Sequence, residues 1–243
     1  VELEEANTAL LNDGAIRATG APAVLGDEAS VRIVNGSGDP AASITSDTTA
    51  VSLEPLSDET QEITNLGTID GAFNGIDFQG APGGAAELVN VGLVTSESRA
   101  LNIVADDVTV VNEGRIETTA DPRNGVIYTD TAADDTTIVN AADGVVDAGA
   151  DNDGDAVSLQ VGNDVDLSVS NAGIFQGRGE PEAGGQASGL RVLAGSEPEP
   201  GFNGGILNKG LIASEATGGI GAGLLIEDGI DADGQLINEG TIA

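Results

Sequence analysis

The chain contains no cysteine, no histidine, no methionine and no tryptophan. Without cysteine, no disulfide or thiolate contributes to fold or chemistry. With histidine missing too, neither a Ser–His nor a Cys–His nucleophile can be assembled. Aromatic side chains are nearly absent: Phe73, Phe78, Phe175, Phe202 and Tyr128 are the whole set, too few for an extended sugar-stacking cleft. Basic residues number 8 against 41 acidic ones, a formal charge of −33. Such a surface repels nucleic acid and anionic membrane, which are bound by Lys and Arg neutralising phosphate. It suits a high-salt setting, where screening relieves self-repulsion, or the collection of divalent cations. No apolar run is long enough to cross a bilayer, so direct membrane insertion is not expected. The chain begins at Val1 rather than Met, which reads as a processed product or an excised piece and leaves room for a removed leader.

What the chain does have is a phrase repeated nine times: an aliphatic residue, a variable residue, Asn, then Gly two residues on, then a branched aliphatic. Clean copies are Leu10 to Ile16, Ile63 to Ile69, Val110 to Ile116, Ile206 to Ile212 and Leu236 to Ile242. Leu88 to Val94 and Val169 to Phe175 vary the last residue. Around Asn35 an insertion precedes Ile44, and after Asn140 the Gly arrives late, as Gly144. Successive Asn residues lie 23, 30, 25, 22, 28, 31, 37 and 30 positions apart. A repeat of this period predicts one stacked body over residues 1–243 rather than several globular domains. Its regularity also argues against disorder, which the charge alone would suggest.

A second phrase, aliphatic-x-aliphatic, precedes each Asn phrase, as in Val51-Ser52-Leu53, Leu101-Asn102-Ile103 and Leu190-Arg191-Val192. Each unit therefore holds three short extended pieces whose apolar members alternate with period two. Three strands per turn, each pairing with its equivalent about 4.8 Å above, make an all-β parallel β-helix of nine coils, a rod of roughly 40 Å. Inward aliphatics would stack in columns. Asn tolerates a left-handed backbone, so the repeated Asn is expected at a corner, its amide bonding the next in a ladder.

The motifs Asn112-Glu113-Gly114-Arg115-Ile116, Asn208-Lys209-Gly210-Leu211-Ile212 and Asn238-Glu239-Gly240-Thr241-Ile242 carry a resemblance to secreted right-handed parallel β-helices, notably autotransporter passenger and filamentous-adhesin domains. The stacked Asn is also similar to the asparagine ladder of pectate-lyase-like enzymes. The resemblance implies a right-handed coil, a secreted or bacterial cell-surface location, a structural or adhesive role, and a glycan or other cell-surface ligand. An autotransporter would add a C-terminal membrane barrel, and nothing in this chain matches one. The first and last units are cut almost in register, which reads either as a trimmed piece or as ends that self-associate.

Long insertions are expected at Asp147 to Ala156, Gln176 to Gly189, Leu193 to Gly205 and Ala213 to Gly223. Loops on one face of a solenoid commonly carry its function. Within the first, Asp151, Asp153 and Asp155 sit at alternate positions, the spacing that opens a calcium loop, and calcium is the candidate cofactor. Ala156 stands where such a loop has Gly, and no chelating Glu follows, so a solvated turn competes. Asp228, Asp231 and Asp233 form a weaker second cluster. The rival function is a carbohydrate-active enzyme, a polysaccharide lyase or glycoside hydrolase, on the same scaffold. Two carboxylates suffice for glycoside hydrolysis, but no catalytic residue is singled out by the sequence. Gly218 to Gly223 lacks the Lys of a phosphate loop and reads as a sharp β-corner. The pairs Thr48-Thr49, Thr118-Thr119 and Thr136-Thr137 could hint at a flat ice-binding face but fall at no fixed coil position.

Overall fold

The computed structural model describes residues 1–4, 7–27, 30–55, 60–80, 84–120, 125–130, 135–149, 154–162, 165–179, 186–195, 201–216, 220–227, 231–232 and 235–243. It contains three parallel sheets and, among the described residues, no helix. The first sheet runs in chain order from Glu2–Leu3 through Val51–Leu53, Arg99–Ile103 and Val157–Val161 to Ile220–Ile226. The second holds the strands that end at the repeated Asn, from Ala9–Asn12 to Gln235–Asn238. The third begins just after it, from Ala15–Ala18 to Thr241–Ile242. Each strand pairs with the equivalent strand of the next coil, as in Leu88↔Val110↔Ile138. The chain is thus a nine-coil parallel β-solenoid with three strands per coil.

The core is the column set that the alternation predicts. Ile33, Ile63, Leu88, Val110 and Ile138 stack on one sheet, and Ile44, Ile69, Val94, Ile116 and Val146 on another, all at 0–1% exposure. Phe175 continues the column of Val146, and Phe78 takes an inward place on the first sheet between Leu53 and Ile103. The inside is therefore dry and aliphatic, with each buried side chain worth about 1.5–3 kcal/mol against exposure.

The ladder is continuous. Every Asn from Asn12 to Asn208 donates Nδ2 to the Oδ1 of the next at 2.8 Å, ending at Asn238. The same amides also donate to the first carbonyl of the next coil's third strand, as Asn65 does to Leu93 O at 3.0 Å. One expectation needs correction. Among the described residues, the left-handed non-Gly residues are Asn7, Ser30, Asp107 and Asp135, with φ between 46 and 60, and no ladder Asn is one of them. Those four stand at the opposite corner, just before the second strand. Ladder Asn is selected by its amide, which both donates and accepts, not by backbone freedom.

The Gly of the phrase is selected by crowding between coils. A Cβ on Gly92 would lie 2.1 Å from Gly67 O, and one on Gly173 would lie 2.1 Å from Gly144 O. Gly14, in the first coil, would meet nothing within 4 Å.

Three of the expected insertions are shorter than the sequence suggests. Third strands extend to Gly179 and Ala216, and first strands start at Gln186 and Ile220, so much of Gln176 to Gly189 and Ala213 to Gly223 is sheet. Likewise Gln186–Ala194 and Gly201–Asn208 take up both ends of Leu193 to Gly205. Neighbouring coils supply these residues with strand partners, such as Gln186↔Ile220 and Arg178↔Glu215, so the longest coils widen the sheets.

Candidate functional site

Outward positions of the first sheet form a polar track from the fourth coil to the eighth, ending against Leu225 in the ninth. Register places Asp77, Asn102, Tyr128, Ser158, Arg191 and Leu225 in one column. The Asp77 carboxylate accepts from Asn102 Nδ2 at 2.7 Å, Gln79 Nε2 at 2.6 Å and Asn74 Nδ2 at 3.1 Å. Arg99 donates to Asn102 Oδ1 at 3.0 Å and lays its guanidinium over the Tyr128 ring, 4.4 Å from the centroid. Tyr128 in turn donates its hydroxyl to Gln160 Oε1 at 2.5 Å. Burial, then the charge of Asp130, holds the Tyr128 phenol above its ordinary range against the opposing pull of Arg99. Asp77–Asn102, Arg99–Tyr128 and Tyr128–Gln160 each tie one coil to the next.

Asp155 continues the track. Its side chain is buried, with Oδ1 accepting from Ser188 N at 2.8 Å and Oδ2 lying 3.5 Å from Arg191 Nη1. Arg191 also holds Glu227 at 3.0 Å. Burial pushes the Asp155 carboxyl up to about 6, although Arg191 and the Ser188 amide pull the other way. Desolvation wins because the charged form loses more water than one cation at 3.5 Å replaces. Of the three candidate calcium ligands, Asp155 is therefore committed to Ser188 and Arg191, while Asp151 and Asp153 lie outside the described residues. So do Asp228, Asp233 and the side chain of Asp231. Among the described residues no group of three His, Cys, Asp or Glu is arranged to hold a metal ion.

The third sheet carries a chain of ion pairs on its outer face. Arg115 meets Glu117, and also Asp147 at 2.6 Å; Arg178 meets Asp147 at 2.7 Å and Glu215 at 3.1 Å. Among the described residues, Arg32–Glu62 and Lys209–Glu239, both at 3.6 Å, and Arg191–Glu227 add further pairs between bases and carboxylates. On the same face the Asp70 carboxyl is raised, first by burial and then by the charge of Glu97.

The second sheet is different. The variable residue before each ladder Asn faces outward, and the nine form a column: Leu11, Val34, Thr64, Val89, Val111, Val139, Ser170, Leu207 and Ile237. None is charged, in a chain of which 20% is charged. From the fifth coil on, the neighbouring outward column is also uncharged: Thr109, Thr137, Ser168, Gly205 and Gln235. A notch of about 350 Å³ opens there, over Gly204 and Gly205. The repeat phrase contained this signal at the place it leaves variable.

No protein family, no curated protein and no solved structure matches the chain.

Proposed function

We propose that this solenoid acts as a secreted or cell-surface rod that binds a ligand and does not turn it over. The observation that supports this reading is the state of the outer carboxylates. Asp77, Asp147, Asp155 and Glu227 are each tied to amides or arginines one coil away. Hydrolysis of a glycosidic bond needs two carboxyl groups turned toward one another across about 5–10 Å of open groove. An adhesive rod needs only a stiff scaffold that holds its outer groups at fixed spacing, which the ladder and the aliphatic columns supply. The ligand class that the resemblance suggests is a glycan or another cell-surface molecule.

The test sets binding against turnover. The protein is incubated with surface polysaccharides, and new reducing ends and unsaturated products are followed beside retention on the same glycans immobilised. Retention without product is expected; product formation would overturn the reading. One feature favours the enzymatic alternative: the Asp70 carboxyl is raised, first by burial and then by the charge of Glu97. If products form and Asp70→Asn abolishes them, the catalytic centre includes Asp70. Calcium is tested separately by melting with the ion and then with chelator. A ligand bound only by the folded state must raise the melting temperature.

A further inference from the structure

From the uncharged trough on the second sheet, we infer that this face binds an extended segment of a partner protein with alternating aliphatic and basic side chains. Three parallel rows set the chemistry. One is the mainly aliphatic row of Val111, Val139, Leu207 and Ile237, interrupted by Ser170 in its middle coil. The middle row is small or neutral, and at Gly205 an added Cβ would touch only Gln235 O, at 3.0 Å, with nothing else nearer than 3.7 Å. The third row borders the face with acid: Asp166 lies on its strand opposite Asn203, and Asp107 and Asp135 stand at the corner just before theirs.

An extended chain sends successive side chains to opposite sides. Laid along the rod over the middle row, it puts one set on the aliphatic row and the other against the aspartates. Apolar contact then fixes position, while charge speeds encounter and selects sign. The notch over Gly204 and Gly205 takes a larger aliphatic side chain. Size excludes the other occupants. Five coils by about five residues give a face of roughly 24 by 17 Å, or about 400 Å². A stable contact between globular bodies takes about 800 Å² from each partner. A second copy would also bring its own charge of −33.

The inference concerns a face apart from the paired carboxylates, so its failure and the failure of the binding reading are separate events. Fluorescence anisotropy compares a labelled nine-residue peptide of alternating Leu and Lys with one of alternating Ser and Lys, at about 150 mM salt. The first should bind at least roughly tenfold more tightly. Val139→Asp and Leu207→Asp, each with native circular dichroism, should weaken it by about tenfold, although each adds negative charge. Thr45→Asp on the third sheet adds the same charge and should not weaken it. Equal binding of the two peptides, or tighter binding by Val139→Asp and Leu207→Asp, would mean simple charge attraction and overturn the inference. A dimer in light scattering that Val139→Asp dissolves would assign the face to a second copy, with the same consequence.

Discussion

The corner that follows the second strand and the other two corners of each coil obey different rules. At the first, seven of nine coils pass from Asn to the third strand in two residues, the second of them Gly, as in Asn90 to Leu93 and Asn171 to Ile174. At the other two, lengths vary freely: 104–107 and 195–200 at one, 97–98 and 148–156 at the other. The difference is one of stacking. At the ladder corner each coil touches the one below through its backbone, so a residue's size and hydrogen bonds are dictated by its neighbour. At the others coils also touch, as at Gly84 against Pro55 O and Gly149 against Thr118 O, but the number of residues between contacts varies, and left-handed residues and the buried Asp155 are found there.

Substitutions that add volume at the ladder corner should therefore have the largest effects. Gly173→Ala puts a Cβ against Gly144 O, Ala141 O and the Asn140 amide, and should destabilise by roughly 4 kcal/mol or more. Gly14→Ala, at the same place in the first coil, meets nothing and should be neutral or stabilising by about 0.4–1 kcal/mol. Urea unfolding midpoints measure both. Equal losses at the two sites would mean that backbone conformation, and not the coil below, selects Gly.

Asn112→Ala removes the acceptor of Asn90 and the donor to Asn140 and Val145 O. Buried partners left unmatched should cost about 3 kcal/mol. Asn12→Ala strips only one neighbouring Asn and should cost about 1 kcal/mol. A ladder whose middle and end lose alike would not be cooperative between coils.

At the variable corners the informative variable is pH. Asp155 has its folded pKa raised from 3.8 to about 6 by burial. The folded state then holds more protons than the unfolded one between these values. Its contribution is fully present below 3.8 and is lost as pH rises through about 6. Relative to Asp155→Asn, the protein should gain on the order of 2 kcal/mol as pH falls across that window. Parallel stability curves for the two proteins would place the Asp155 carboxyl in water.

Much of this was legible in the sequence, for reasons these corners explain. The nine Asn, the Gly after them and the inward aliphatics announce the coil because each is dictated by an identical neighbour, so the constraint repeats. Asp155 was legible only as one carboxylate of a local loop. Its partners Ser188 and Arg191 come a coil later, across a corner of unconstrained length, and local spacing carries no trace of them. The assignment of the ladder Asn to a left-handed corner failed because Asn serves two purposes, and here the amide outweighs backbone tolerance. The outward stripe of Val111, Val139 and Leu207 was hidden by alternation itself: its members lie beside inward aliphatics and read as part of the same run.

The smallest prediction separates the two corners by sign. Asp107 holds φ at 50, a region that costs a residue with a Cβ about 1 kcal/mol and costs Gly little. Asp107→Gly should therefore stabilise by about 0.5 kcal/mol once the greater freedom of the unfolded chain is deducted, and Asp107→Val should destabilise. At the ladder corner the same exchange, Asn112→Gly, relieves no backbone strain and deletes two amide bonds to its neighbours, so it should destabilise by about 3 kcal/mol. Opposite signs for Asp107→Gly and Asn112→Gly in one urea series would show that conformation governs one corner and contact between coils the other. A loss at both would mean that Asp107 is held by its side chain and not by its backbone.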